Sequence, residues 1–350
     1  MKRLKTSSVL LAALCLALAA VIAGCGSSGS STSSGSGSGG EGGEGSGEEV
    51  KAALLLNIYT DFTQAGREGV EAVIKKAGGS VTPSNAEFEP QKQLAQCQDA
   101  ITSQRYNVII LGPADSPSSV PCATQAGEAG LPVIAFENPV GPSRTKVEPQ
   151  VPQVQGSVVI APMVDAETTF ELVEEACKGL PKCVWIDEIG SRSSSLDETK
   201  IQYFEEQLKS NPKIELAQLL EGNYLPSETV QKLPNALAAN PGVNVITFES
   251  DTNAVAAVPA LKSAGLEGKV KLIGDGGSVA GAAAIKAGTM FGSVASFPRS
   301  MGEKAAEMAL QALAKEKISP NGIDMFSLGE PVKLTKANIA EYTPQFGAKE

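Results

Sequence analysis

Short apolar runs alternate along this chain with longer stretches in which apolar residues recur every three or four positions. The first run, 52–59, is continuously apolar before ending in polar residues, and predicts a strand buried on both faces. Residues 64–77 follow with helical spacing at Val70, Val73 and Ile74, and Gly78-Gly79 stops them. The same reading gives a short strand starting at Val81-Thr82, a helix over 90–104, a strand over 107–111, a helix over 117–130 and a strand over 132–136. After a proline-rich stretch, 139–152, the pattern restarts. Helices over 166–178, 197–210, 227–240, 253–264 and 279–287 alternate with strands over 183–189, 214–220, 243–248, 269–273 and 292–296. A helix over 299–315 and a short strand over 332–334 complete the series. Repeated β-α units predict an α/β fold of parallel sheets covered by helices on both faces. Ligands of such sheets sit at the carboxyl ends of the strands.

The first 49 residues do not fit this pattern. Residues 1–24 carry Lys2, Arg3 and Lys5 and then run apolar from Val9 to Ile22, as a secretory signal does. The run is too short to predict a spanning helix. Val21-Ile22-Ala23-Gly24-Cys25 closes it and resembles the lipobox of bacterial lipoproteins, which implies cleavage before Cys25 and a lipid on its sulfur. An ordinary signal cleavage site with a chance cysteine is the alternative. Residues 26–49 hold only Gly, Ser, Glu and one Thr, too little apolar surface to offset the entropy of ordering. Residues 25–49 therefore read as the lipidated cysteine and a disordered tether, spanning roughly 27 Å at 5–6 Å × √n. Gly24 to Gly29 also spells G-x-G-x-x-G, but neither a strand nor a helix flanks it, so a dinucleotide reading fails.

About 300 residues remain, long for one core and suited to two lobes. The formal charge is −10, and losing Lys2, Arg3 and Lys5 makes it more negative, which argues against nucleic-acid phosphates as partners. The absence of histidine removes the usual general base and the commonest metal ligand, so the sequence predicts neither an enzyme, nor a metal, nor a cofactor. Of six cysteines, Cys97, Cys122, Cys177 and Cys183 fall in the folded part. Cys177 and Cys183 flank a helix-to-strand turn, and Cys97 and Cys122 lie on consecutive predicted helices. Export permits disulfides, and Cys97–Cys122 with Cys177–Cys183 is the preferred pairing of three. A four-cysteine zinc site is disfavoured for want of C-x-x-C pairs.

Several segments then resemble one family in order and spacing. Ile110-Leu-Gly-Pro-Ala-Asp-Ser-Pro117, followed after a helix by Ala129-Gly-Leu-Pro-Val-Ile-Ala135, is similar to a paired signature of the ribose-binding type of periplasmic binding protein, type I. Val245-Ile-Thr-Phe-Glu-Ser-Asp251, Ala260-Leu-Lys-Ser-Ala-Gly265, Lys271-Leu-Ile-Gly-Asp-Gly-Gly277 and Phe297-Pro-Arg-Ser-Met-Gly302 extend the likeness over about residues 50–345. The resemblance implies two Rossmann-like lobes with parallel sheets, joined by three crossovers near 139–156, 296–298 and 317–325. The first lobe would be 50–138 plus 299–317, and the second 157–296 plus 325–345.

It also implies site residues at strand ends, where polar groups satisfy hydroxyls and rings pack against a sugar. These are Tyr59, Asp61 and Phe62 after the first strand, with Asp61 alternatively capping the next helix. Glu137 and Asn138 stand where the family has an Asp-Arg pair, so the arginine is missing. In the second lobe Arg192, Asp251 and Asp275 are candidates, and Ser296 or Phe297 replaces a crossover glutamine. Asp115 reads better as a helix cap than as a contact. These departures argue against ribose itself.

The expected function is that of an extracytoplasmic binding lipoprotein. It would capture a small polar molecule, a carbohydrate by resemblance, and deliver it to the permease of an ABC importer. Its expected place is the outer face of the cytoplasmic membrane, anchored by lipid at Cys25. A ligand-sensing lipoprotein serving a chemoreceptor or sensor kinase is the alternative.

Overall fold

The structure, a computed structural model, describes residues 49–347 apart from Ser193. The sequence-predicted signal (1–24), Cys25 and all of the tether except residue 49 lie outside the described residues.

Chain order is β1 (Lys51–Leu56), α1 (Asp61–Lys76), β2 (Ser80–Asn85), α2 (Pro90–Thr102), β3 (Val108–Leu111), α3 (Val120–Glu128), β4 (Val133–Glu137) and β5 (Val154–Val159). It continues with α4 (Pro162–Cys177), β6 (Cys183–Ile189), α5 (Ser195–Ser210), β7 (Ile214–Glu221), α6 (Pro226–Ala239), β8 (Val245–Phe248) and α7 (Asp251–Ser263). Last come β9 (Lys271–Gly276), α8 (Val279–Ala287), β10 (Gly292–Ala295), α9 (Pro298–Leu313), β11 (Ile323–Asp324) and β12 (Lys333–Thr335). The strands form two six-stranded sheets, β11-β5-β4-β3-β1-β2 and β12-β10-β9-β8-β6-β7. Every neighbour pair is parallel except β10 with β12. The central strands β3, β4 and β8 are buried throughout, which is why they read as unbroken apolar runs.

Local chemistry sets several boundaries. α1 begins three residues before its apolar periodicity does, because Thr60 and Thr63 cap it reciprocally and Asp61 sits in its first turn. α9 returns the chain to the first sheet and lies against α1 at glycine positions. A Cβ on Gly302 would collide with the Gly66 carbonyl, and one on Gly69 with the Arg299 carbonyl. Disulfides join Cys97 to Cys122, tying α2 to α3, and Cys177 to Cys183, across the turn from α4 to β6.

Two crossovers fall later than the sequence indicated. Residues 154–159, placed there between the first crossover and the second lobe, pair with β4 and belong to the first sheet. β5 lacks a clear strand pattern because Gly156 interrupts it, and that glycine makes room for Met308 and Ile318. The chain therefore first crosses between Val159 and Pro162. The third crossing follows β11, which adds to the first sheet beside Val158 and Val159 before the chain passes to β12. The second crossing, between β10 and α9, lies at 296–297.

Candidate ligand-binding site

The carboxyl ends of both sheets face a shared cavity of about 330 Å³. Seven of the nine sequence-predicted residues line it: Tyr59, Asp61, Phe62, Glu137, Asn138, Asp251 and Asp275. Arg192 and Phe297 do not. Arg192 is exposed, with its backbone N–H donating to Glu221. Phe297 is buried against Tyr342 and over Gly329, and its neighbour Ser296 takes the place at the cavity wall.

On the first-lobe wall, Glu137 ends β4 with φ at +66°, a conformation unusual for a side-chain-bearing residue. Its Oε1 accepts a 2.9 Å hydrogen bond from Asn57 Nδ2, while Oε2 is buried with no protein partner. Burial pushes the Glu137 carboxyl up to about 7, opposed only by the Asn57 bond. Asn138 spends its side-chain N–H on the Pro113 carbonyl, 3.0 Å away. Asp61 and Tyr59 are exposed at the rim; Thr60, not Asp61, caps α1.

The second-lobe wall is built around Lys200, on α5 and fully buried. Its Nζ donates to Asp165 at 3.3 Å, Glu249 at 3.1 Å and Asp275 at 3.1 Å. These three carboxylates could also hold a metal ion by spacing, but the ammonium is already bonded to all three. One ammonium cannot keep three buried carboxylates fully ionised. Burial alone would lower the lysine, yet the three carboxylates drive it further towards ammonium. Burial first, then mutual repulsion, drives Glu249 and Asp275 towards carboxylic acid.

Asp251 opens α7 and is fully committed within the protein. Its oxygens accept from Ser293 Oγ and the Ser278 backbone N–H, both at 2.6 Å. Burial raises it to about 6 against those bonds. It fixes strand ends and helix starts that form the wall.

The lobes touch across the cleft through residues that the sequence reading missed. Phe88, after β2, and Tyr224, after β7, meet with ring centroids 5.6 Å apart. Each sits in a loop with two successive left-handed residues, Glu87-Phe88 and Asn223-Tyr224. Tyr224 is held by donating its hydroxyl to Asp197 at 2.7 Å. Phe346, near the carboxyl terminus, meets Phe62 edge-on at 5.8 Å. Arg144 joins Asp115 of the first lobe to Glu198 of the second. Asp115 also accepts from the Ser118 backbone N–H at 3.0 Å, in the turn before α3, but it does not cap that helix, whose N-cap is Ser119. Glu249 could have been found, since it directly follows an apolar strand at the carboxyl end; Lys200, Phe88, Tyr224 and Phe346 carry no such signal.

Two α/β lobes crossed three times, with one cavity between the carboxyl ends of their sheets, define a two-lobed binding protein. The chain belongs to the periplasmic binding protein family: its periplasmic binding protein domain spans residues 53–317. The ribose import binding protein RbsB of Salmonella typhimurium is 22% identical over 267 residues, covering 76% of this chain and 86% of that one. The D-allose-binding periplasmic protein of Escherichia coli is also 22% identical, over 77% of this chain and 86% of its own length. Among solved structures, a Bacillus halodurans ABC transporter solute-binding protein with bound myo-inositol superposes with a TM-score of 0.73 at 19% identity, covering 86% of this chain and 99% of that one. The Caulobacter myo-inositol binding protein gives 0.72 at 22%, covering 84% and 96%. The family is one of solute-binding proteins and not of enzymes. Among the described residues no helix is long and apolar enough to cross a membrane.

Proposed function

We propose that this protein captures a monosaccharide or small polyol between its lobes, outside the cytoplasmic membrane, and delivers it to the permease of an ABC importer. The observation that carries the reading is the cavity of about 330 Å³, the size of a small-molecule site, walled by carboxyl and amide groups with rings at its sides. Carboxylates accept from sugar hydroxyls through charge-assisted bonds, and rings cover the apolar face of the sugar. Relatives named for ribose and D-allose, and structural neighbours holding myo-inositol, support the class. In this reading Tyr59, Asp61, Phe62, Glu137, Asn138 and Asp275 contact the ligand, and Asp251 positions the wall. The lobes are 50–159 with 299–324 and 162–296 with 325–345, which moves β5 and β11 from the sequence assignment into the first lobe. A ligand touching both lobes favours the closed arrangement by its differential affinity.

The lipid anchor at Cys25 and the tether through residue 49 are part of the same reading, supported by the lipobox resemblance. Titration calorimetry against aldopentoses, aldohexoses and inositols tests the ligand class; a protein that binds none of them refutes it. Cys25→Ser should abolish labelling by a radioactive fatty acid, and a labelled variant refutes the anchor.

A further inference from the structure

The cavity is supplied with acid and aromatic surface and with almost no positive charge. Asp61, Glu137, Asp165, Glu249, Asp251 and Asp275 line it. Among the described residues no lysine or arginine does, and the chain has no histidine. The ammonium behind the wall, Lys200, has three N–H groups and gives them to Asp165, Glu249 and Asp275. It has none left for an anionic ligand.

Across the cleft stands a separate feature. Glu137 belongs to the first lobe, is 93% buried by its 7% exposure, lines the cavity, and leaves Oε2 without a partner. A buried carboxylate oxygen in that position calls for a donor, and a charged donor most strongly. Six rings, Tyr59, Phe62, Phe88, Tyr224, Phe326 and Phe346, also line the space, and ring faces attract cations.

From these observations we infer that the ligand is an amine-bearing polyol, an aminosugar or aminocyclitol, whose ammonium sits on Glu137 Oε2 while its hydroxyls face the Lys200 carboxylates. The inference rests on the sugar-or-polyol reading and narrows it. A neutral sugar can give a hydroxyl to Glu137 Oε2, but it brings no positive charge to offset a buried carboxylate. An ammonium satisfies the ionised form and supplies the missing positive charge. Burial already holds Glu137 poised near neutral pH, so a cation can tip it to carboxylate at little cost. Among the described residues, sugar acids and sugar phosphates meet no lysine or arginine on the cavity wall.

The test uses matched sets on the purified full chain by titration calorimetry: D-glucose, D-glucosamine and D-glucuronate; D-galactose, D-galactosamine and D-galacturonate; and myo-inositol with an inosamine. In at least one set the amine should bind about tenfold or more tighter than its neutral partner, with no binding of the acid. Glu137→Gln keeps the Oε1 acceptor for Asn57 and should collapse that amine-to-neutral ratio towards one. A neutral member binding as tightly as its amine overturns the inference and leaves the sugar reading intact. An amine preference that survives Glu137→Gln overturns Glu137 as its seat. If no member of any set binds, the amine inference falls, and the sugar reading falls with it only when the aldopentoses fail as well.

Discussion

Lys200→Met tests the electrostatics of the second-lobe wall most directly. Methionine has nearly the length and volume of the lysine stem, so packing around α5 is kept while the ammonium is lost. Asp165, Glu249 and Asp275 then face one another without a counter-charge. Removing one partner of a buried ion pair costs about 3–5 kcal/mol. Here the loss is limited because the carboxylates can take up protons, and the wild type already pushes Glu249 and Asp275 that way. The sign with pH follows. Folded-state carboxyls raised above their unfolded values bind protons that the unfolded chain has released, so stability falls as pH rises above the ordinary carboxylate range. Losing the ammonium raises them further and steepens that fall by up to about 1.4 kcal/mol per pH unit for each additional proton held. Urea denaturation of both proteins at pH 5.5 and pH 8, with equal m-values, is the assay. The deficit should be about 3–5 kcal/mol at pH 8 and clearly smaller at pH 5.5. A deficit below about 1 kcal/mol at pH 8, or one equal at both pH values, would refute the reasoning.

Further outcomes follow from the same geometry. Glu137 is raised from an ordinary 4.5 to about 7, so the wild type loses up to about 3 kcal/mol as pH climbs through that window. Glu137→Gln lacks this loss and should gain on the wild type between pH 5 and pH 8 in denaturant titrations; parallel curves would contradict it. Cys97–Cys122 closes a longer loop than Cys177–Cys183, with separations of 25 and 6. Replacing the first pair by serine should therefore cost about 3–4 kcal/mol and the second about 2, measured by denaturation, and the reverse order would argue against the chain-entropy account. Arg144→Ala removes the link from Asp115 to Glu198 across the cleft. Partly exposed pairs contribute about 0.2–1 kcal/mol, so ligand affinity should fall about two- to fivefold at low salt and less at high salt, and unchanged affinity would exclude a role in closure.

The order of strands and helices was legible in the sequence because each rests on local period, caps and breakers. The buried strands β3, β4 and β8 are plain apolar runs, and Gly78-Gly79 ends the α1 pattern. The family resemblance, which sets site residues at strand ends, also brought seven named residues to the cavity. It misplaced Arg192 and Phe297, because a residue just past a strand can face solvent or core, and only the path of the following loop decides which. β5 escaped notice because a strand carrying Gly156 shows its pairing only once β4 lies beside it. Tertiary structure alone decided the burial of Lys200. A lysine on an amphipathic helix reads as solvated, and this one is buried because carboxylates 35, 49 and 75 residues away converge on it. The meeting of Phe88 with Tyr224 has the same origin, since two loops on different sheets acquire a common neighbour only when the lobes come together.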